Sequence, residues 1–187
     1  MKKTCIILSL LFTASCLYSQ NFIMGVQYGI GSQHFTRSSD DLKTAAYITH
    51  HGSLMFEFSP YYSLLFINAG AEYTTHDLGT EVCIPLSVRI APGKKVRPFF
   101  EIGGYYNYAL SDFEDEYQFE NDFGALGRAG LLFYVSKRFR IELSYFRNYG
   151  LTPALKEEVL LPLDQVSIEP YKRFEQGASL RLKFRLY

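Results

Sequence analysis

The sequence predicts an all-β chain, an eight-stranded antiparallel up-and-down transmembrane β-barrel. Three observations carry that expectation: a hydropathy period of two, segments long enough to cross a bilayer as tilted strands, and connections that are tight at one end and mostly long at the other. At 187 residues the chain has room for one ordinary domain or two cramped ones. Lys+Arg and Asp+Glu both total 19, a balance that argues against a protein binding nucleic acid by neutralising phosphates. Hydrophobic residues make up 48% and aromatics 17%, too many large apolar groups for a disordered chain.

Residues 1–19 read as a cleaved secretory signal peptide. Lys2 and Lys3 precede an apolar stretch from Cys5 to Phe12, and small or polar residues follow to Ser19 and Gln20, the three-part layout of an export signal. The apolar stretch is shorter than the ~20 residues that span a bilayer as a helix. Thr13-Ala14-Ser15-Cys16 resembles a lipoprotein cleavage box, in which Cys16 would be lipidated, but Thr13 stands where that box has an aliphatic residue. Cleavage leaves 187 − 19 = 168 residues, 20–187, as the barrel domain, with a charge of 17 − 19 = −2. Cys83 is then the one remaining cysteine, so no intrachain disulfide forms, and stability must come from a core or from closure in lipid.

Beyond residue 20 there is no run of 18 apolar residues, which excludes a helical membrane span. Period two instead marks eight strands, near 22–32, 51–59, 62–74, 79–91, 96–110, 122–135, 138–149 and 172–186. In the first, Gly25, Gly29 and Gly31 take the inward parity. The second and third place Glu57 and Glu72 inward. The fourth carries Ile84-Pro85-Leu86; the fifth places Glu101 and Gly103 inward, and the sixth Arg128 and Gly130. In the seventh, Phe139, Ile141, Leu143 and Tyr145 alternate with Arg140, Glu142 and Ser144. The eighth is the cleanest: Ala178, Leu180, Leu182, Phe184 and Leu186 alternate with Ser179, Arg181, Lys183 and Arg185, polar groups that a helix would scatter around its circumference. Most of these strands exceed the usual ~5–6 residues and reach the ~9–11 of a tilted membrane strand. Tight turns are expected at Pro60-Tyr61, Pro92 to Lys95 and Ser136-Lys137. The opposite connections are long, 33–50, 111–121 and 150–171, with 77–78 as the exception, as in an antiparallel barrel threaded from one side.

Three blocks in this order resemble the PorT-like outer-membrane β-barrel family of Gram-negative bacteria: Glu81-Val82-Cys83-Ile84-Pro85-Leu86-Ser87-Val88-Arg89, then Arg97-Pro98-Phe99-Phe100-Glu101-Ile102-Gly103-Gly104-Tyr105-Tyr106, then Asn121-Asp122-Phe123-Gly124-Ala125-Leu126-Gly127-Arg128-Ala129-Gly130. The strand Ile141-Glu142-Leu143-Ser144-Tyr145-Phe146 and the segment Tyr149-Gly150-Leu151-Thr152 extend the likeness over nearly all of residues 20–187. The resemblance implies a small barrel of the OmpX and OmpA type, placed in the cell envelope. It also implies a C-terminal aromatic read by the barrel-assembly machinery. Tyr187 is aromatic, yet shares the parity of Arg185 and Lys183, so either a bulge realigns it or Phe184 and Leu186 carry the signal.

With the apolar parity toward lipid, Glu57, Glu72, Glu101, Arg128, Arg140, Glu142, Glu175 and Arg181 face the lumen. Eight strands leave an interior just wide enough for side chains, so these charges are expected to pair and fill it as a plug, not an open pore. His34, His50, His51 and His76 fall near the loop rim and are expected to be surface histidines. No spaced ligand set marks a metal site, and no histidine follows His76, where a lipid-modifying barrel enzyme of the deacylase type carries a His-x-Ser pair. The chain is therefore read as no enzyme and as needing no cofactor. Segment 111–122 holds six acids, Asp112, Glu114, Asp115, Glu116, Glu120 and Asp122, with no base; it is expected to be a solvated outer loop. Val159, Leu160 and Leu161 are too apolar for a casual loop tip and are expected to prolong the last two strands as a projecting hairpin, or else to offer an edge to another protein.

The expected role is that of an integral outer-membrane β-barrel, structural or acting through its loops. Its expected partners are outer-membrane lipid, the assembly machinery, and an envelope or extracellular protein met by the loops. The rival readings are a lipid-modifying outer-membrane enzyme and a soluble secreted β-barrel holding an apolar ligand inside, which period two alone does not separate.

Overall fold

In the computed structural model, residues 22–37, 46–61, 64–77, 79–112, 117–161 and 165–186 are described. Residues 1–19 and Tyr187 lie outside them, and with them the signal peptide, Cys16 and the C-terminal aromatic. Period-two alternation gives nine strands: β1 (Phe22–Arg37), β2 (Tyr47–Tyr61), β3 (Leu65–His76), β4 (Gly79–Ile90), β5 (Val96–Asp112), β6 (Tyr117–Phe119), β7 (Asp122–Tyr134), β8 (Phe139–Leu161) and β9 (Gln165–Arg185). β6 is a three-residue piece paired only with the far end of β8. The other eight form one antiparallel ring, each strand beside its sequence neighbour, closed by β1 against β9.

The register fixes how the ring closes. Following paired residues from Met24 leads through Phe56, Ala69, Leu86, Gly104, Ala125, Tyr149 and Phe174 back to β1 at His34. The circuit returns 34 − 24 = 10 residues higher than it began, a shear that tilts strands by roughly 35–45° and narrows the interior to side-chain width. Both termini of the described barrel and the short connections to β3, β5 and β8 share one end, the turn end. The longer connections share the other, the loop end. Gly93, at φ 115°, lets the chain reverse between β4 and β5 in a conformation that disfavours side chains with a Cβ.

Around the middle of the wall, outward residues are apolar and inward ones polar. At both ends the inward side changes character. At the loop end Phe35, Ala154 and Tyr171 pack together inside, joined by Tyr47, while His34, Thr36 and Lys172 take the outward positions. At the turn end Phe66, Ala91, Phe99 and Leu132 form a second internal cluster with Tyr134 against it. This inversion corrects the expected strand limits. β1 runs to Arg37, not 32, and β2 starts at Tyr47, not 51; β8 and β9 pair as far as Leu161↔Gln165. Half of the expected loop 33–50 and most of 150–171 are therefore strand: the backbone pairing continues into both, and around Phe35 and Tyr171 the alternation continues with its polarity reversed.

Candidate functional site: the charged lumen

Inward polar residues stack in tiers between the two apolar clusters. Nearest the turn end, β4 supplies Arg89, whose Nη1 donates to Glu57 on β2 (2.9 Å) and to Glu142 on β8 (2.7 Å). Its Nε donates to Glu101 on β5 (2.8 Å), a carboxylate that also accepts from the Ser87 hydroxyl (2.6 Å). Lys183 on β9 donates to Glu57 (2.7 Å) and lies 2.5 Å from Glu142. Arg140 and Arg181 stand 3.6 Å from Glu57 and 3.5 Å from Glu142. The Arg89 guanidinium stacks over Phe99 at 4.2 Å, so the ion cluster rests directly on the apolar layer.

Gln27 on β1 links this tier to the next. Its carbonyl oxygen accepts from Arg181 Nε (2.8 Å) and Arg128 Nη1 (3.1 Å), and its amide donates to Glu72 (3.0 Å). Above it, His51 on β2 sits between two carboxylates, Nδ1 3.3 Å from Glu72 and Nε2 2.9 Å from Glu175. Glu175 also accepts from Thr49 (2.9 Å) and Asn148 (3.0 Å). Phe146 meets the His51 ring edge-on at 5.2 Å, and it has room because Gly177 faces it: a Cβ there would come within 2.7 Å of the ring. Nearest the loop end, Arg173 binds both oxygens of Glu81 and lies 3.3 Å from Asp122. The Tyr105 hydroxyl donates to Asp122 (3.2 Å), and His76 stands 3.6 Å from Glu81.

All eight residues expected in the lumen lie inside and are buried. Glu57, Glu101, Arg140, Glu142 and Arg181 belong to the turn-end tier, Arg128 to the link, and Glu72 and Glu175 to the His51 tier. Among the described residues the buried acids, with Glu81 and Asp122 added, number seven and the buried Arg and Lys six. Such a near-balance makes a self-paired network and not the single-sign ring that selects ions. Sequence reasoning passed over Arg89, the hub, although it shares parity with Glu81, Cys83 and Ser87; Lys183 likewise shares the parity of Arg181. Two expectations are corrected. His51 and His76 are buried in the lumen and not on the surface, as the opposed parities of His50 and His51 allow; His50 alone of that pair faces out, against the Tyr28 hydroxyl (2.9 Å). Asp122 is not a solvated loop acid, because β7 begins there on the inward parity.

The loop residues stand apart from this network. Asp112 ends β5, and Glu114, Asp115 and Glu116 lie outside the described residues. Val159, Leu160 and Leu161 pair through their backbone with Ser167, Val166 and Gln165 in the β8–β9 hairpin. Among the described residues, no group of three or more His, Cys, Asp or Glu side chains is placed to hold a metal ion.

A closed eight-stranded antiparallel ring, with an apolar wall and ions enclosed, defines the fold class of the outer-membrane β-barrels. Solved structures of that kind are similar to this chain. They include the N-terminal β-barrel domain of Pseudomonas aeruginosa OprF (TM-score 0.56, 14% identity, 89% of this chain and 99% of that one). Neisserial surface protein A, NspA, gives a TM-score of 0.55 at 14% identity over 86% of this chain and 97% of that one. OprG of Pseudomonas aeruginosa gives 0.56 at 10% identity over 90% and 98%. At these identities the likeness is one of fold. No family model and no curated protein matches the chain.

Proposed function

We propose that this chain is an integral outer-membrane β-barrel protein of a Gram-negative envelope, exported by the signal at residues 1–19. Its role is structural or loop-mediated, and its lumen is plugged. The carrying observation lies on one strand: along β4, Arg89 is 0% exposed while its wall-side neighbours Leu86 and Ile84 are 59% and 53% exposed. In water that arrangement is doubly unfavourable, since it buries charge and exposes a continuous apolar belt far beyond what soluble monomers carry. In hydrocarbon both costs reverse, because the belt meets acyl chains and the closed ring leaves no open strand edge to face them. A soluble barrel holding an apolar ligand would need the opposite orientation.

Within that class, the order of the blocks around Ile84-Pro85-Leu86, Gly103-Gly104 and Phe123-Gly124 favours the PorT-like family. The proposed role involves no reaction and no cofactor, and its partners are outer-membrane lipid, the assembly machinery and a protein met at the loops. Fractionation tests the location: the chain is expected in the outer-membrane pellet after carbonate washing, as a band that migrates faster unheated than heated. A carbonate-soluble chain with no heat shift would overturn it. Lipid A acylation unchanged by deletion of the gene is expected; a lost or added acyl chain would replace this reading by the enzymatic one.

A further inference from the structure

We propose that the wall formed by β8 and β9 toward the loop end holds one anionic lipid, its phosphate against Arg147 and Lys172 and an acyl chain in the groove beneath; this rests on the outer-membrane reading. Outward positions on the eight ring strands are otherwise apolar or neutral. Among the strand residues whose side chains are described, Arg147 and Lys172 are the two Arg or Lys side chains on that face, and no carboxylate shares it there. A cation on a lipid-facing wall is unfavourable without a counter-charge.

Several features gather that charge into a site. Arg147 pairs with Gly127 on β7 and with Gln176 on β9. A Cβ at Gly127 would meet nothing within 4 Å, so the wall is open on the β7 side of Arg147. The guanidinium leans toward the loop end, over the Phe174 ring at 5.1 Å, as a side chain reaching for the headgroup region does. On the other side of that ring stands His34, with ring centroids 4.7 Å apart, and Lys172 follows Phe174 on the same face of β9. Arg147 and His34 thus lie against one aromatic, with Lys172 two residues along the same face of β9.

Directly toward the middle of the wall lies a groove of about 590 Å³ over β7, β8, β9 and β1, lined by Ala129, Leu131, Leu143, Tyr145, Ala178 and Leu180 among others. Ala129 and Ala178 open it between larger neighbours. Tyr145 lies one outward position below Arg147, and its hydroxyl donates to Gln176 (2.7 Å), tying the groove's rim to the cationic cluster. A phosphate above and a chain below fit one lipid molecule, because the two halves of the site are contiguous on the same strands. A free phosphate would leave the groove unused.

The test uses the chain refolded in non-ionic detergent and native mass spectrometry, with phosphatidylglycerol and phosphatidylcholine of identical acyl chains. One phosphatidylglycerol is expected to be retained at least tenfold better than phosphatidylcholine, and equimolar inorganic phosphate is expected not to displace it. Arg147→Gln with Lys172→Gln should lower retention at least tenfold, and Ala178→Leu several-fold with both charges in place, all without loss of the heat shift. Equal retention of both lipids, undiminished binding by the double variant, displacement by inorganic phosphate, or a second copy of the chain on the groove in place of lipid would each overturn the site. A barrel that inserts into vesicles and shifts on heating but shows no lipid preference removes this inference alone; failure to insert removes the membrane reading itself.

Discussion

Arg89 ties β4 to three other strands at once, through Glu57 on β2, Glu101 on β5 and Glu142 on β8. Removing that guanidinium takes one cationic partner from each of three carboxylates in a water-poor interior, with Lys183 left against Glu57 and Glu142. Arg89→Met is therefore expected to cost about 3–5 kcal/mol of barrel stability, read as a lowered urea midpoint of the chain folded in vesicles. Nearer the loop end, Arg173→Met and Glu81→Met are each expected to destabilise by a similar amount. The double variant should lose clearly less than the two single losses combined, since neither member of the pair then stands alone and Asp122 keeps the Tyr105 hydroxyl. Parity alone made these positions legible: a residue's side of the wall follows from its neighbours, and on that ground Arg89 and His51 were as readable as Glu57. Which acid meets which base was not, because Gln27 bridging to Arg128 and Glu72 depends on strands far apart in sequence.

The strands themselves were read well where the wall is oily and poorly beyond it. Within the belt an apolar residue signals the outside, so 22–32 and 172–186 stand out. Past the belt, Phe35 and Tyr171 point inward while His34 and Lys172 point out, and a reader following polarity stops too early although the backbone alternation continues. The β8–β9 hairpin, by contrast, was legible from Val159, Leu160 and Leu161; its ladder runs beyond a register shift between Tyr149 and Pro153. The ring below that shift closes without it. Deleting residues 156–165 is thus expected to leave the heat-dependent gel shift intact, and to abolish capture of a partner if the hairpin offers its edge to another protein. Loss of the shift would mean that the hairpin is needed for the barrel itself.

For the molecule as a whole, the apolar belt is a depth gauge. Ile102 lies in its middle and Tyr108 toward the loop end of β5. Ile102→Arg is expected to cost about 2–4 kcal/mol and Tyr108→Arg about 0–1 kcal/mol, measured as unfolding free energies in vesicles; equal costs would contradict a bilayer placed across this belt. The filled lumen carries its own expectation, the absence of steady nanosiemens channels in planar bilayers. Strand number and closure were legible because an even number of long segments, joined by tight turns at one end and mostly long connections at the other, admits few other arrangements. The shear of ten was not, since register is a property of pairs and not of any one segment.

The seam between β1 and β9 joins Ile23 to Arg185 and Arg37 to Tyr171, residues from opposite extremes of the barrel domain. Such a joint forms last, because bringing distant segments together is entropically costly and slow. Until it does, two bare strand edges and every leucine of the wall face water, an invitation to aggregate. Zipping that joint in an oily medium covers edges and leucines at once, so the last pairing to form is also the one that ends the chain's exposure.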